Sequence, residues 1–156
     1  MKLAKTIGGL KESGYRPKTV KAELRDNLIA KMKQGKQLFS GIIGYEETVI
    51  PEIENAILSG HDCILLGERG QAKTRIMRSL VELLDESLPV IKGCEINDNP
   101  FNPLCKNCSN QIKKNKEKTR IEWLPRRMRF SEKLATPDVT IADLIGDIDP
   151  IKVAEG

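Results

Sequence analysis

The stretch DCILLGERGQAKT, residues 62–74, is the most informative part of the sequence, because an apolar run enters a glycine-containing loop that closes on a lysine and a threonine. Its first half, Cys63 to Leu66, predicts a buried strand. A helix is expected from Lys73, so that backbone N–H groups and the positive end of the helix dipole face one point. This layout predicts a phosphate-binding loop in which Lys73 contacts the β- and γ-phosphates of ATP and the Thr74 hydroxyl binds Mg²⁺. The predicted loop residues are Gly67, Glu68, Arg69, Gly70, Gln71, Ala72, Lys73 and Thr74.

The loop departs from the strict pattern G-x-x-x-x-G-K-[ST] at one position, where Ala72 stands in place of glycine. A glycine lets the backbone approach phosphate closely, and alanine adds a single methyl group. We therefore expect the loop still to close around a phosphate. The alternative is a surface turn that contains glycine, lysine and threonine by chance. The predicted strand before the loop and the amphipathic helix after it favour the nucleotide loop.

The order of elements around the loop predicts the fold class. Helices are predicted over about 20–33, 46–58 and 73–86, where apolar residues recur every three or four positions. Strands are predicted at 62–66 and 88–92. This order is typical of an α/β P-loop nucleoside triphosphatase, with a parallel sheet and flanking helices.

The remaining segments are shorter or less regular. Residues 1–18 contain several glycines and predict a loose leader, and about 93–120 predicts an insertion or mobile loop rich in Asn, Pro and Lys. Further elements are predicted as strands at 121–124 and 128–130 on either side of Pro125, and as a short helix at 141–145 capped by Thr140.

Composition describes a soluble globular chain of 156 residues, 39% hydrophobic and 31% charged. No run approaches the roughly 18 apolar residues of a membrane span, and the N-terminus lacks the apolar segment of a secretory signal. We expect a cytoplasmic protein with no membrane contact, in which the four cysteines stay reduced. A single histidine excludes a two-histidine metal site and argues against a Ser-His-Asp triad.

Positive charge is concentrated in residues 106–129, which hold nine Lys and Arg against two acids. Such a block can contact nucleic acid, and Trp123 next to Arg126 and Arg127 resembles an aromatic–basic binding surface. Runs of charge are more often solvated surface. We therefore expect an exposed basic edge and do not expect nucleic acid as the partner.

Three cysteines are spaced like metal ligands. Cys105 and Cys108 form a C-x-x-C, and Cys94 lies eleven residues before it. Three thiolates, completed by a carboxylate such as Asp98 or by water, would make a tetrahedral Zn²⁺ site. The alternative is that these thiols are free on the surface.

Three stretches resemble the N-terminal part of the magnesium-chelatase ATPase subunit family, within the AAA+ superfamily and near its MoxR-like relatives. They are FSGIIGYEE at 39–47, DCILLGERGQAKTR at 62–75 and EKLATPDVTIADLIGDIDP at 132–150. The first resembles the segment that packs around adenine, and the second resembles a variant phosphate loop that carries the same alanine. The similarity covers about 39–156.

The resemblance implies a ring-forming ATPase, usually hexameric, that binds ATP and Mg²⁺ between neighbouring subunits. In the chelatase, ATP turnover drives insertion of Mg²⁺ into protoporphyrin IX by another subunit, whereas similar relatives remodel other proteins. The implied partners are AAA+ subunits in a ring and a von Willebrand-type or chelatase subunit. Gly67, Gly70, Lys73 and Thr74 take the phosphate and magnesium roles, and Ile42, Ile43 and Gly44 become candidates for adenine contact.

One feature of such ATPases is missing from this sequence. No apolar strand ending in Asp-Glu follows Lys73, although that pair would hold the Mg²⁺ shell and polarise the attacking water. We therefore interpret residues 19–156 as the N-terminal part of an AAA+ ATP-binding domain, incomplete at its C-terminus, that binds ATP without hydrolysing it alone and supplies no catalytic residue. The alternatives are a zinc-stabilised nucleic-acid adaptor that uses 106–129, or a non-catalytic assembly piece of a ring ATPase.

Overall fold

The computed structural model describes residues 3–39, 41–134 and 136–155, without the side chains of Leu144, Lys152 and Glu155. The first two residues of the predicted leader lie outside this part. The helices and strands are α1 (Ile7–Glu12), α2 (Val20–Lys33), α3 (Val49–Ser59), α4 (Lys73–Ser79), β1 (Ser87–Ile91), α5 (Lys106–Asn115), β2 (Ile121–Pro125), α6 (Ala142–Ile145) and α7 (Pro150–Glu155). Short 3₁₀ turns occupy Leu80–Leu83, Lys116–Lys118 and Arg126–Arg129.

The helices predicted before and after residues 67–74 are present as α2, α3 and α4, with some ends shifted. The Thr19 hydroxyl caps α2 by accepting the Ala22 N–H at 3.2 Å, and α3 ends at Gly60, whose φ is +70°. The helix predicted over 73–86 divides into α4 and a 3₁₀ turn at Leu80–Leu83. Together α2, α3 and α4 enclose the larger apolar core, whose buried residues are Leu28, Leu38, Phe39, Ile42, Ile53, Ile57, Ile76 and Leu83.

The sheet differs from the prediction. The strand predicted at 88–92 is present as β1, but it pairs with β2 in antiparallel register, with Val90 opposite Glu122. The described residues contain this two-stranded sheet and no parallel one. The predicted parallel sheet is therefore wrong for the part of the chain that the structure describes.

The physical reason lies in residues 61–68, which include the buried strand predicted at 62–66. This segment joins no strand in the described structure. Leu65 packs against the larger core, whereas Ile64 and Leu66 are 85% and 88% exposed. A strand needs a neighbour to bond its N–H and C=O groups, and no described segment pairs with this one. The apolar run was therefore enough to suggest a strand, but it did not show whether another segment pairs with it.

Residues 4–12 pack against the sheet and do not form the loose leader that was predicted. On α1, Ile7 and Leu10 are buried with Ile121 of β2, and the Ile7 N–H donates to the Thr119 carbonyl at 3.0 Å. Gly8 permits this approach, because a Cβ at that position would lie 3.2 Å from Glu117. A glycine that suggested flexibility instead allows close packing.

Residues 92–120 connect β1 to β2 and are more regular than the predicted mobile loop. They contain α5, and the chain returns to the sheet through Thr119, which is 1% exposed. The strand predicted at 121–124 is confirmed as β2. The strand predicted at 128–130 is wrong, because Arg126–Arg129 forms a 3₁₀ turn in which Arg129 reaches back to Glu23 of α2.

The C-terminal residues form short exposed helices. Thr140 and Asp143 bond reciprocally at the start of α6, with the Thr140 N–H donating to Asp143 Oδ2 at 2.9 Å and the Asp143 N–H donating to Thr140 Oγ1 at 3.4 Å. This capping box explains the helix predicted at 141–145. None of the helices in the described residues has the length and apolar character needed to cross a membrane.

Candidate nucleotide site and cysteine cluster

The predicted phosphate loop turns through three residues with left-handed backbone. Gly67 has a φ of +153°, Gly70 of +84° and Ala72 of +53°. Glycine adopts such values without strain, whereas alanine does so at a cost of about 1–2 kcal/mol. Backbone with such φ values occurs in the loops that bind anions through successive N–H groups, and this is the feature that the loop shares with them. The strict pattern has glycine at this position, and the left-handed φ of Ala72 explains that preference.

Lys73 points into this loop. Its ammonium donates to the carbonyl of Gly67 at 2.9 Å and to that of Glu68 at 2.5 Å. No ion pair among the described residues involves this ammonium. The Lys73 ammonium is therefore bound by two neutral carbonyls of the loop, and a negatively charged acceptor can replace them.

The other predicted loop residues are open to solvent. Glu68, Arg69, Gln71 and Thr74 are exposed, with Thr74 in the first turn of α4. The Gln71 side chain folds over Gly67, because a Cβ on Gly67 would lie 2.1 Å from Gln71 Oε1. Only glycine fits at position 67 unless the Gln71 amide moves.

The predicted adenine segment lies beside the loop, but its residues differ in accessibility. Ile42 is buried in the larger core, whereas Ile43 is 87% exposed, and Gly44 has a φ of +89°. Tyr45 connects the segment to the loop by donating its hydroxyl to the Gln71 carbonyl at 3.4 Å. The Ile42 side chain therefore belongs to the core, and Ile43 and Gly44 are the accessible members of the predicted set.

Tyr45 and Arg75 also lie at this site and were not predicted as site residues. The guanidinium of Arg75 lies against Gly41, where an added Cβ would be 2.8 Å from its Nη2. Both side chains join the segment at 41–45 to the phosphate loop and α4. Only their place in the sequence, next to the two motifs, could have indicated that they belong to the site. The periodicity of helices and strands gives no information on contacts between loops.

The three spaced cysteines come together with Asp98. The metal-binding atoms of Cys94, Asp98, Cys105 and Cys108 all lie within 4.8 Å of one another. All the cysteines are free thiols, and the Sγ atoms of Cys94 and Cys105 are 4.0 Å apart. All four residues were considered as ligands in the prediction from the sequence, and their arrangement is able to hold a metal ion.

Hydrogen bonds in this cluster shift the pKa values of its members in different directions. Burial opposes ionisation of Cys94, but hydrogen bonds, first that from the Asp98 N–H, outweigh it and lower the pKa of the thiol. Burial raises the pKa of the Cys108 thiol, and its two cysteine neighbours raise it further. The backbone N–H groups of Leu104 and Cys105 hold the pKa of Asp98 below its usual value.

The basic segment at 106–129 does not present an aromatic surface. Trp123 is half-buried, and its indole N–H donates to the Ala4 carbonyl at 2.8 Å. Its ring contacts Tyr15 edge to face, with centroids 6.4 Å apart. Lys113 and Lys114 are exposed on α5. The segment therefore has the expected charged edge, but its tryptophan is occupied by packing.

Comparison with known proteins finds similarity to a magnesium-chelatase subunit ChlI homolog from Methanocaldococcus jannaschii, with 30% identity over 125 residues. The match covers 75% of this chain and 34% of that protein, so the chain spans about a third of the length of the relative it matches. No family model matches the sequence, and no solved structure matches it. The similarity supports a relationship to magnesium-chelatase subunits.

Proposed function

We propose that this chain is the ATP-binding part of a magnesium-chelatase-like AAA+ ATPase, and that the loop at 67–74 holds Mg-ATP. The observation that carries the proposal is the position of Lys73, whose ammonium lies on the carbonyls of Gly67 and Glu68 inside a loop with three left-handed residues. The similarity to a magnesium-chelatase subunit homolog supports the same family.

Bound ATP replaces the two loop carbonyls as partners of the Lys73 ammonium. Phosphate oxygens are charged, and a hydrogen bond between charged groups is stronger than one to a neutral carbonyl. The Thr74 hydroxyl is exposed and serves as the protein ligand of Mg²⁺. Ile43 and Gly44 contact the adenine, because Tyr45 holds their segment beside the loop.

The assembly and the partners are proposed on the ground of family. Subunits of this kind form a ring with ATP between neighbours, and a von Willebrand-type or chelatase subunit acts with the ring in the cytoplasm. Because no apolar strand ending in Asp-Glu follows Lys73, we expect this chain by itself to bind ATP without turning it over.

Thermal unfolding with and without Mg-ATP tests the proposal. A ligand at about 100 times its dissociation constant stabilises the folded state by about 2.7 kcal/mol, so Mg-ATP and Mg-ADP should raise the melting temperature of the wild type. Lys73→Ala should lose the shift. Lys33→Ala, which removes the same charge at the end of α2, should keep it. A wild type whose melting temperature does not respond to either nucleotide contradicts the proposal.

The nucleic-acid adaptor gives the opposite pattern. It requires salt-sensitive binding of DNA or RNA that survives Lys73→Ala and disappears in Cys105→Ser. The packing of Trp123 against the N-terminal residues disfavours it, because stacking on bases needs an open aromatic face. Binding of this kind, together with no response to ATP, would replace the nucleotide proposal.

A further inference from the structure

We propose that Cys94, Asp98, Cys105 and Cys108 bind one Zn²⁺ ion, which fastens the start of α5 to the turn after β1. The proposal stands independently of the nucleotide site. The role is structural, because four protein ligands close a tetrahedral zinc shell and leave no open position for a substrate.

The ligand atoms already lie near the positions that zinc requires. With Zn–S bonds of about 2.3 Å, a tetrahedral site separates two sulfurs by about 3.8 Å. The Sγ atoms of Cys94 and Cys105 are 4.0 Å apart, and the four ligand atoms lie within 4.8 Å of one another. Small side-chain rotations bring all four onto one ion.

Two tight turns present the ligands, one from Cys94 to Asp98 and the other from Cys105 to Cys108. In each turn the first sulfur accepts a backbone N–H, from Asp98 at 3.4 Å and from Cys108 at 3.2 Å. Asn97 folds the first turn back on itself with a left-handed φ of +54°.

Asp98 supplies an independent argument from charge. The residue is 3% exposed, and its two carboxylate oxygens accept the N–H groups of Leu104 and Cys105 at 3.0 and 2.9 Å. None of the ion pairs in the described residues includes it. A buried carboxylate is stabilised by a cationic partner, and each oxygen keeps a lone pair for one. A divalent ion at the three sulfurs provides that charge.

Three thiolates with one carboxylate favour zinc over other ions. Ca²⁺ and Mg²⁺ prefer shells of oxygen ligands, and Cu⁺ prefers sulfur ligands alone. Iron–sulfur clusters distribute their thiolates over several iron atoms, whereas the four ligand atoms here converge on one point. A mononuclear zinc site fits both the ligand types and their spacing.

The proposed site lies in the connection between β1 and β2, whose residues Phe101 and Ile112 pack against the smaller apolar cluster. In the part of the chain that the structure describes, this cluster has three buried members, Ile7, Leu10 and Ile121. Small cores commonly need a metal or a disulfide for stability. A zinc ion that joins residues 94 and 108 closes the connection between β1 and β2 and keeps α5 in place.

Metal analysis of protein prepared under reducing conditions with added Zn²⁺ tests the site. The wild type and Cys63→Ser should carry one zinc per chain after desalting, and Cys105→Ser should carry less than about half an equivalent. Cys63 is the matched control, because it is an exposed cysteine outside the cluster. A wild type without zinc, or equal zinc in Cys105→Ser, would overturn the assignment.

Cobalt provides a second measurement that does not depend on a cysteine variant folding. Co²⁺ added to the metal-free wild type should give the intense visible and near-ultraviolet absorption of a tetrahedral thiolate site, and added Zn²⁺ should remove it. Asp98→Asn, which keeps the side-chain shape, should bind Co²⁺ more weakly. A wild type that lacks these bands contradicts the site, and unchanged binding in Asp98→Asn removes Asp98 from the ligand set.

Proteolysis of the full chain tests whether zinc holds α5 against the turn after β1. Removal of zinc by a chelator should speed tryptic cleavage at Lys113 and Lys114 of α5, and zinc should restore protection. Mg-ATP binding should persist in the chelated protein, since Leu65 and Ile76, which flank the loop at 67–74, pack on the separate larger core. Unchanged cleavage after chelation would overturn this role of zinc, whereas loss of ATP binding in the zinc-loaded protein concerns only the nucleotide proposal.

Discussion

Glu23 and Arg129 form a buried ion pair that joins α2 to the residues after β2. The guanidinium donates Nη1 to Glu23 Oε1 at 2.6 Å and Nη2 to Glu23 Oε2 at 2.5 Å, and the two side chains are 3% and 8% exposed. Glu23 also accepts the Asp85 N–H at 2.6 Å. This pair links the larger core to the sheet.

Removal of the cation should destabilise the protein strongly. Arg129→Met leaves the Glu23 carboxylate buried without a cationic partner, which costs about 3–5 kcal/mol. Lys18→Met is the matched control, because Lys18 pairs with Asp26 and both side chains are about half exposed; its expected cost is at most about 1 kcal/mol. Urea unfolding measures both values. Equal costs for the two variants would show that the pair is not insulated from water.

The same pair predicts a pH dependence. Burial raises the pKa of Glu23, but the bonds from Arg129 and the Asp85 N–H outweigh it and hold the pKa below the usual 4.5. Since the folded pKa is depressed, the stabilisation is complete above the unfolded pKa and is lost as the pH falls through the folded one. The free energy of unfolding of the wild type, relative to Glu23→Gln, should therefore stay constant near neutral pH and shrink below about pH 4.5. A difference that grows as the pH falls contradicts this sign.

Ala72 should be a strained residue. Its φ is +53°, so Ala72→Gly should raise the free energy of unfolding by up to about 1 kcal/mol. The substitution removes the cost of a left-handed alanine, but part of this gain is lost because glycine has more conformational freedom in the unfolded chain. Ala56→Gly makes the same chemical change inside α3 and should lower stability by about 1 kcal/mol. Opposite signs in denaturant unfolding confirm the left-handed loop. A loss of stability in both variants is evidence against it.

The first helix should be part of the folded structure. Leu10 is completely buried, so Leu10→Ala should cost about 2–5 kcal/mol, whereas Leu3→Ala should cost little, because Leu3 is 56% exposed. Trp123 is the single tryptophan and bonds to the Ala4 carbonyl, so its fluorescence reports the contact. A Leu10→Ala protein with unchanged stability and emission would mean that residues 3–18 are loose after all.

The sequence predicted local features better than pairing. Thr19, Gly60 and Thr140 mark helix ends through hydrogen bonds with near neighbours, and such signals are complete within a few residues. The partner of an apolar strand is set by distant segments. The antiparallel pairing of β1 with β2, and the lack of a strand at 61–68, could therefore not be predicted from the sequence.

The candidate sites show the same difference. The loop at 67–74 and the cysteine cluster were predicted from spacing, because the chemistry expected of them needs particular residues at short intervals. The contact of Tyr45 with the Gln71 carbonyl joins residues 26 apart, and the burial of Ile42 depends on α2 and α3. Neither could be deduced from residue types alone.

Isothermal titration calorimetry measures directly whether the loop around Lys73 holds Mg-ATP. The wild type and Lys33→Ala should show saturable heat for one Mg-ATP per chain with equal affinity. Lys73→Ala should bind at least about tenfold more weakly, a loss of about 1.4 kcal/mol or more. A wild type that gives no saturable heat, or a Lys73→Ala protein that binds as tightly as the wild type, would contradict the account.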